Sequence, residues 1–400
     1  MNLYNQNQVI YLIRSPLSER DFNRFGIKNW ISQGWKVNVF DVTKFLFPKF
    51  WRYVEGDKLS VNFEGLKIFN NINELLSSFN NLQHKVVFID FLEFSVEEMR
   101  IRKIARNHGV LVRTLAGSIP VPKNKKNILN LFSLIKSPIF LMKKLIFFIK
   151  NEAKQIRAKR YFPDFLVVSG TKSMSGINDK KISIIKAHNF DYDSFIQENY
   201  IKSDKKSDSL VFLDEYGPYH SDFIYSGIKP FVTLDKYYPV IDFGLFEMAK
   251  LLKLNIKIAA HPRSNYGAKQ IKYKHPILEK KTFELIRDAD VVVSHMSTAL
   301  QWAVVMKKPI IFVTTDEIQN EFYARSYAKH IDYFAATLGK KVVNLSNLSS
   351  INNWGDYLNV DEEKYEKYIE TYIKTKGSQQ MLFWDIVIEH IQKDLFPYKI

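Results

Sequence analysis

The sequence predicts an α/β protein of two domains, each built around a parallel sheet. Three observations carry this. Short apolar runs of strand length alternate with longer amphipathic stretches along the chain, the pattern of parallel strands joined by helical crossovers. At 400 residues the chain is too long for one ordinary core and fits two domains. A charged, polar stretch at 202–209 (KSDKKSDS) interrupts the apolar periodicity near the midpoint, which sets the expected domains at 1–204 and 205–400.

In the first half, apolar runs predict strands at Val9–Ile13, Lys36–Phe40, Leu66–Phe69, Lys85–Ile89, Val110–Thr114 and Phe165–Val168, with a last short one at Ile182–Ile185. Helical spacing fits Ser18–Gln33, Ile72–Phe79 and Val96–His108, and a short helix Ser194–Asn199. In the second half, strands are expected at Leu210–Leu213, Ile256–Ala260 and Asp290–Val293. Helices are expected at Val240–Leu254, Thr282–Arg287 and Leu300–Val305. Beyond Thr315 come a helix Glu317–Leu338, a strand Lys341–Leu345, a polar connection Ser346–Asn353, and helices Asp361–Lys374 and Gln379–Asp394.

Three motifs follow the second-half strands directly: Asp214-Glu215-Tyr216-Gly217, His261-Pro262-Arg263-Ser264, and Ser294-His295-Met296-Ser297-Thr298. Right-handed crossovers bring parallel strand ends to one edge, where open α/β sheets bind ligands. These residues should therefore converge on one cleft, with chemistry suited to transfer from a phosphate-linked donor. Asp214 or Glu215 can take the proton of an attacking hydroxyl. His261 can hydrogen-bond or protonate a departing phosphate. The hydroxyls of Ser297 and Thr298, with free N–H groups at a helix start, offer a phosphate seat. Each part has a plainer reading: an acidic turn, a satisfied loop histidine, an ordinary N-cap.

An acidic pair followed by glycine, then His-Pro, then a hydroxyl pair resembles the three-part pattern of bacterial sialyltransferases and polysialyltransferases that use CMP-sialic acid. The resemblance covers about 209–315. Tyr216 is inserted between the acids and Gly217. The resemblance implies that His261-Pro262 faces the CMP phosphate and that Ser297-Thr298 holds it. Tyr216, Gly217, Arg263 and Ser294 flank these positions as further donor-site candidates. The segment 213–222 (LDEYGPYHSD) also resembles a motif of surface-carbohydrate biosynthesis proteins, which adds His220 and Asp222 on the acceptor side. The cluster 188–193 (HNFDYD) is either a third acceptor-facing element, through His188, or a hydrogen-bonded loop.

The resemblance implies a GT-B-like architecture: two Rossmann-like domains facing a cleft, with an acceptor-side first domain, a nucleotide-sugar-binding second domain and, by analogy, a last helix that crosses back. The implied reaction is inverting, metal-independent transfer of a nonulosonic acid (sialic, pseudaminic or legionaminic type) from its CMP form to a surface glycan or glycolipid acceptor. Alternative donors are CMP-Kdo and CDP-glycerol. No cofactor is expected, and no Gly-x-Gly-x-x-Gly or Walker pattern occurs. Two Asp-x-Asp spacings, 191/193 and 288/290, fall outside the three-part pattern, so no metal site is expected.

The chain has no cysteine and a formal net charge of +16, compatible with the cytoplasm and with anionic partners. No secretory signal is evident at Met1–Val9, and no uncharged apolar run is long enough to span a bilayer. Basic charge concentrates in Val121–Phe162, with eleven Lys and Arg against one acid, Glu152, among many Leu, Ile and Phe. Such a segment suits a peripheral anionic membrane surface, or a helical hairpin with a solvated basic rim. A non-catalytic basic protein is the alternative of another class, although no nucleic-acid motif is present and no nucleic-acid partner is expected.

Overall fold

A computed structural model describes residues 7–54, 61–82, 86–115, 119–122, 149–158, 160–174, 181–198, 207–220, 223, 229–267, 269, 271, 273–322 and 324–395. The first sheet contains β1 (Gln8–Ile13), β2 (Lys36–Asp41), β3 (Leu66–Ile68), β4 (Val86–Asp90), β5 (Gly109–Leu115), β6 (Phe165–Ser169) and β7 (Ser183–Ala187). The second contains β8 (Ser209–Leu213), β9 (Asn255–Ala259), β10 (Ile277–Leu278), β11 (Val291–Ser294), β12 (Ile310–Thr314) and β13 (Val342–Asn344). Every pairing in both is parallel. The orders are β3-β2-β1-β4-β5-β6-β7 and β10-β9-β8-β11-β12-β13.

The continuous apolar strands are explained by burial on both faces. Along β1, Val9, Tyr11 and Ile13 enter one core while Ile10 and Leu12 enter the opposite one. A third core fills the second sheet's layers, from Leu210–Leu213 through Ile241, Val292 and Phe312 to Tyr368. In the second sheet the strand order reverses between β8 and β11. Chain segments leaving those two strands diverge, opening a crevice at their carboxyl ends.

Several helices differ from expectation for local reasons. The stretch 18–33 forms two helices, Glu19–Arg24 and Ile27–Ser32, because Gly26 turns the chain at φ +65°. The stretch 317–338 divides into Asp316–Asn320 and Arg325–Thr337, with Glu321 extended between them. The 240–254 helix starts earlier, at Leu234, and accommodates Pro239. Helices Thr43–Leu46 and Pro48–Val54 had no recognisable apolar period. Helix Glu362–Tyr368 ends in a π turn, Ile369–Ile373. Most of the basic segment and the 204/205 boundary lie outside the described residues; the part at 149–158 is helical. There Lys154 pairs with Glu93, and Arg157 donates to the Phe94 carbonyl at 2.6 Å.

The last helix, Phe383–Leu395, crosses back as expected. Its Phe383, Trp384, Ile386, Val387, Ile388 and Ile391 are buried in the same core as Val9, Tyr11 and Ile13. Trp384 occupies the space above Gly26: a Cβ there would lie 2.1 Å from the indole. Its Nε1 donates to the Arg24 carbonyl at 2.7 Å, and Asn29 donates to Asp385 at 2.8 Å. The two sheets are also tied near the cleft. Asn189 donates to Gln301 and Trp302 donates to the Asp191 carbonyl; on the first-sheet side Arg24 braces Asp191 at 3.3 Å.

Candidate active site

The carboxyl ends of β8, β9 and β11 open on a cavity of about 340 Å³. Its walls include Asp214, Glu215, Gly217 and His220 after β8, His261 and Pro262 after β9, and Ser297 and Thr298 after β11. The three motifs therefore share one cleft at the switch point of the second sheet. Arg20 and Asp191, from the part of the chain that carries the first sheet, line it as well.

Asp214 is 4% exposed. One oxygen accepts from the Tyr216 N–H at 3.2 Å and the other from the Tyr266 hydroxyl at 2.5 Å. Burial raises its pKa to about 6, against the pull of those hydrogen bonds. Glu215 accepts from the Met296 N–H at 2.6 Å, the Tyr327 hydroxyl at 2.5 Å and, at 3.4 Å, the Ser294 hydroxyl. Burial raises its pKa too. The neighbouring acids thus differ in attachment: Glu215 is bonded into the β11 loop, whereas Asp214 is held by the β8 turn and Tyr266.

Tyr216 adopts a left-handed backbone, φ +54°, which costs a side-chain-bearing residue about 1 kcal/mol. The turn sends Tyr216 away from the cavity. It is buried, its ring stacked on His261 and its hydroxyl between the N–H and carbonyl of Asn265, both at 3.3 Å. Gly217 follows, where a Cβ would press on Val232 at 2.9 Å. The insertion in the acidic motif therefore backs the histidine.

His261 Nδ1 accepts from the Arg263 N–H at 3.2 Å, so Nε2 carries the proton. Burial, reinforced by His220 and by the charges of Arg263 and Arg20, lowers its pKa to about 3. The ring is a neutral donor at physiological pH. His220 meets it edge-on at 5.0 Å. His295, from the third motif, is buried beneath the cleft. Its Nδ1 donates to the Val313 carbonyl at 2.7 Å and its Nε2 accepts from Tyr237 at 3.0 Å. Burial lowers its pKa to about 4. It fixes Tyr237, a cavity wall residue.

The start of helix Leu300–Val305, expected to offer free N–H groups, is internally bonded. Helix Leu300–Val305 is only six residues long. Ser297 N–H donates to Ser294 Oγ at 3.1 Å, Ala299 N–H to Ser297 Oγ at 3.3 Å, and Leu300 and Gln301 N–H to the carbonyls of Ser297 and Thr298. These short turns take up N–H donors that the start of an α-helix otherwise leaves without an intrahelical partner. Thr298 is exposed and makes no side-chain hydrogen bond among the described residues.

Other expected site residues stand behind the cleft or apart from it. Ser294 is fully buried and braces the loop. Arg263 is exposed beside His261 but does not line the cavity. His188 is corrected: it is fully buried, with ring nitrogens 2.9 Å from the carbonyls of Asn189 and Met381. It fastens the return of the chain to the first sheet and cannot face an acceptor. Asp222 lies outside the described residues. The Asp-x-Asp pairs serve structure: Asp193 accepts from the Phe383 N–H at 2.8 Å, and Asp290 caps Ser207 and Ser209. Sequence reading missed Arg20, Tyr266 and Tyr327, because no local pattern ties an arginine at 20 or tyrosines at 266 and 327 to Asp214.

No family model matches the sequence, and no curated protein matches it. Among solved structures, a UDP-N-acetylglucosamine 2-epimerase, described as putative, from Listeria monocytogenes aligns over 99% of this chain and 98% of its own, with 10% identity and a TM-score of 0.50. The wall teichoic acid polymerase TagF aligns over 98% and 90%, with 11% identity and a TM-score of 0.48. MurG from Acinetobacter baumannii aligns over 97% and 99%, with 10% identity and a TM-score of 0.43. The chain has a GT-B-like fold. The first match, spanning both sheets, agrees with the two parallel strand orders; at such identity it speaks to the fold alone.

Proposed function

We propose that the protein is a glycosyltransferase that takes a nonulosonic acid from its CMP-activated form and transfers it to a glycan or glycolipid acceptor with inversion. The observation that carries this is the meeting of Asp214, His261, Ser297 and Thr298 in one cleft at the switch point of the second sheet. In this reading the second domain binds the nucleotide and the first faces the acceptor. The His261 Nε2–H and the hydroxyls of Ser297 and Thr298 hold the phosphate. Asp214, with a pKa of about 6, is ionised at neutral pH and takes the proton of the acceptor hydroxyl as the sugar's bond to phosphate breaks. The phosphate departs as the leaving group. Glu215 positions Ser297 and Thr298 through the Met296 N–H and Ser294, and Tyr216 positions His261.

The donor site is tested by calorimetric titration with CMP. Ser297→Ala combined with Thr298→Ala is expected to weaken CMP binding by about 1–3 kcal/mol, the range for hydrogen bonds to a charged group. Unchanged affinity in the double variant removes the phosphate from this loop. Titrating CDP-glycerol and CMP-Kdo alongside ranks the donors.

The protein also suits docking on anionic membrane next to a lipid-linked acceptor, through the basic, apolar 121–162 segment. No helix among the described residues is long and apolar enough to cross a membrane. Replacing Lys143, Lys144 and Lys150 by Glu is expected to reduce sedimentation with anionic vesicles at low salt and to leave CMP affinity intact, at about 1 kcal/mol per lysine. Wild-type protein that ignores such vesicles excludes the docking role.

A further inference from the structure

Arg20 has no role in the chemistry above, yet it lines the cleft. It projects from helix Glu19–Arg24, which packs with the first sheet, whereas the phosphate seat belongs to the second. Its charged neighbours are Arg24, Asp191, Asp21 and Arg263. Both acids are engaged: Asp191 pairs with Arg24 at 3.3 Å, and Asp21 accepts from the Ser18 hydroxyl at 2.8 Å. Arg20 itself makes no hydrogen bond and no ion pair among the described residues. Arg20 therefore stands at the cleft wall near His261 with both nearby acids committed to other donors. An unpaired guanidinium at a cavity wall is a fork-shaped donor for a planar or tetrahedral anion.

We propose that Arg20 is a second anion-binding point of this cleft, receiving a substrate group distinct from the phosphate held by His261, Ser297 and Thr298. That group is a carboxylate on the transferred sugar or a second phosphate. The inference rests on the nucleotide-donor reading given above. A ligand that occupies both points bridges the two halves of the cleft, so the same contact selects the substrate and holds the halves together. A neutral sugar on a nucleoside monophosphate would leave Arg20 unpaired.

The test is calorimetric titration of wild type, Arg20→Ala and Arg20→Lys with CMP, CDP and CMP-N-acetylneuraminic acid. Arg20→Ala is expected to bind CMP-N-acetylneuraminic acid about 10- to 100-fold more weakly and CMP within about threefold of wild type, the loss of one charge-assisted contact. Arg20→Lys should recover part of the loss, since it keeps the charge without the fork. If the loss falls on CDP instead, the second anion is a phosphate: the Arg20 site stands, and the CMP-sugar donor does not. If Arg20→Ala weakens all three alike, or none, while wild type binds CMP, the Arg20 inference is overturned and the donor site survives. If wild type binds none of the three, both fall.

Discussion

Asp214→Asn is expected to lower turnover by about 10²–10⁴, the range for loss of a general base, with CMP affinity unchanged. Asparagine can accept from the Tyr216 N–H with its oxygen and donate to the Tyr266 oxygen with its amide, so the turn should persist. The sign of the pH dependence follows from the raised pKa. The base works when ionised, so wild-type kcat/KM should fall below about pH 6 and level off above it. His261 cannot produce that limb, because its pKa of about 3 leaves it neutral throughout. Stability moves oppositely. Ionising a carboxyl whose folded pKa lies above its unfolded value opposes folding, in full above about pH 6 and relieved as pH falls toward 4. Asp214→Asn should therefore melt at an equal or higher temperature than wild type at pH 8. Near-normal turnover in Asp214→Asn with collapse in Glu215→Gln would move the base to Glu215. If neither slowed transfer, the acidic pair would be a turn and nothing more.

Trp384→Ala is expected to cost about 3–5 kcal/mol, the range for truncating a buried aromatic. The indole fills the space above Gly26, donates to the Arg24 carbonyl and contacts the rings of Tyr11 and Phe190. Removing it empties the space above Gly26, which has no side chain to fill it. The chain holds two sheets with separate cores, so the cost is read from the first unfolding transition in denaturant, without assuming two-state behaviour for the whole molecule. Faster amide exchange across Phe383–Leu395 should accompany it. An unchanged transition with full protection of that helix would mean that it is held from elsewhere. Because helix Glu19–Arg24 also carries Arg20, the same variant should disturb the far wall of the cleft.

The two acids show how closely local chemistry and tertiary placement are coupled here. Adjacent in sequence and both buried, they are separated in role by their donors. Glu215 binds a loop some 80 positions away through Met296, and Asp214 answers to Tyr266. A change at Glu215 should thus register first in the placement of Ser297 and Thr298, and a change at Asp214 in the proton transfer itself.

The α/β class was legible because both halves alternate strand-length apolar runs with helical spacing, and periodicity is a local property. Helix Val96–His108 was placed at its observed bounds, since an amphipathic run with clear ends needs no tertiary context. The convergence of Asp214, His261 and Ser297 was legible too, since parallel strands deliver their carboxyl ends to one edge whatever the loops do. Tertiary structure alone decided the rest. Nothing near Gly26 announces a tryptophan 358 positions later, so the break in 18–33 was invisible. His188 looked like a site residue because sequence does not tell whether a histidine's partners are substrate or distant carbonyls, here those of Asn189 and Met381. That the N–H groups before helix Leu300–Val305 are taken up by the chain's own turn was not legible, because donor availability depends on the turn the chain takes, not on the residues that precede it. Arg20 reached the cleft only because two sheets with separate cores face each other, and packing across such a gap leaves no period in the chain.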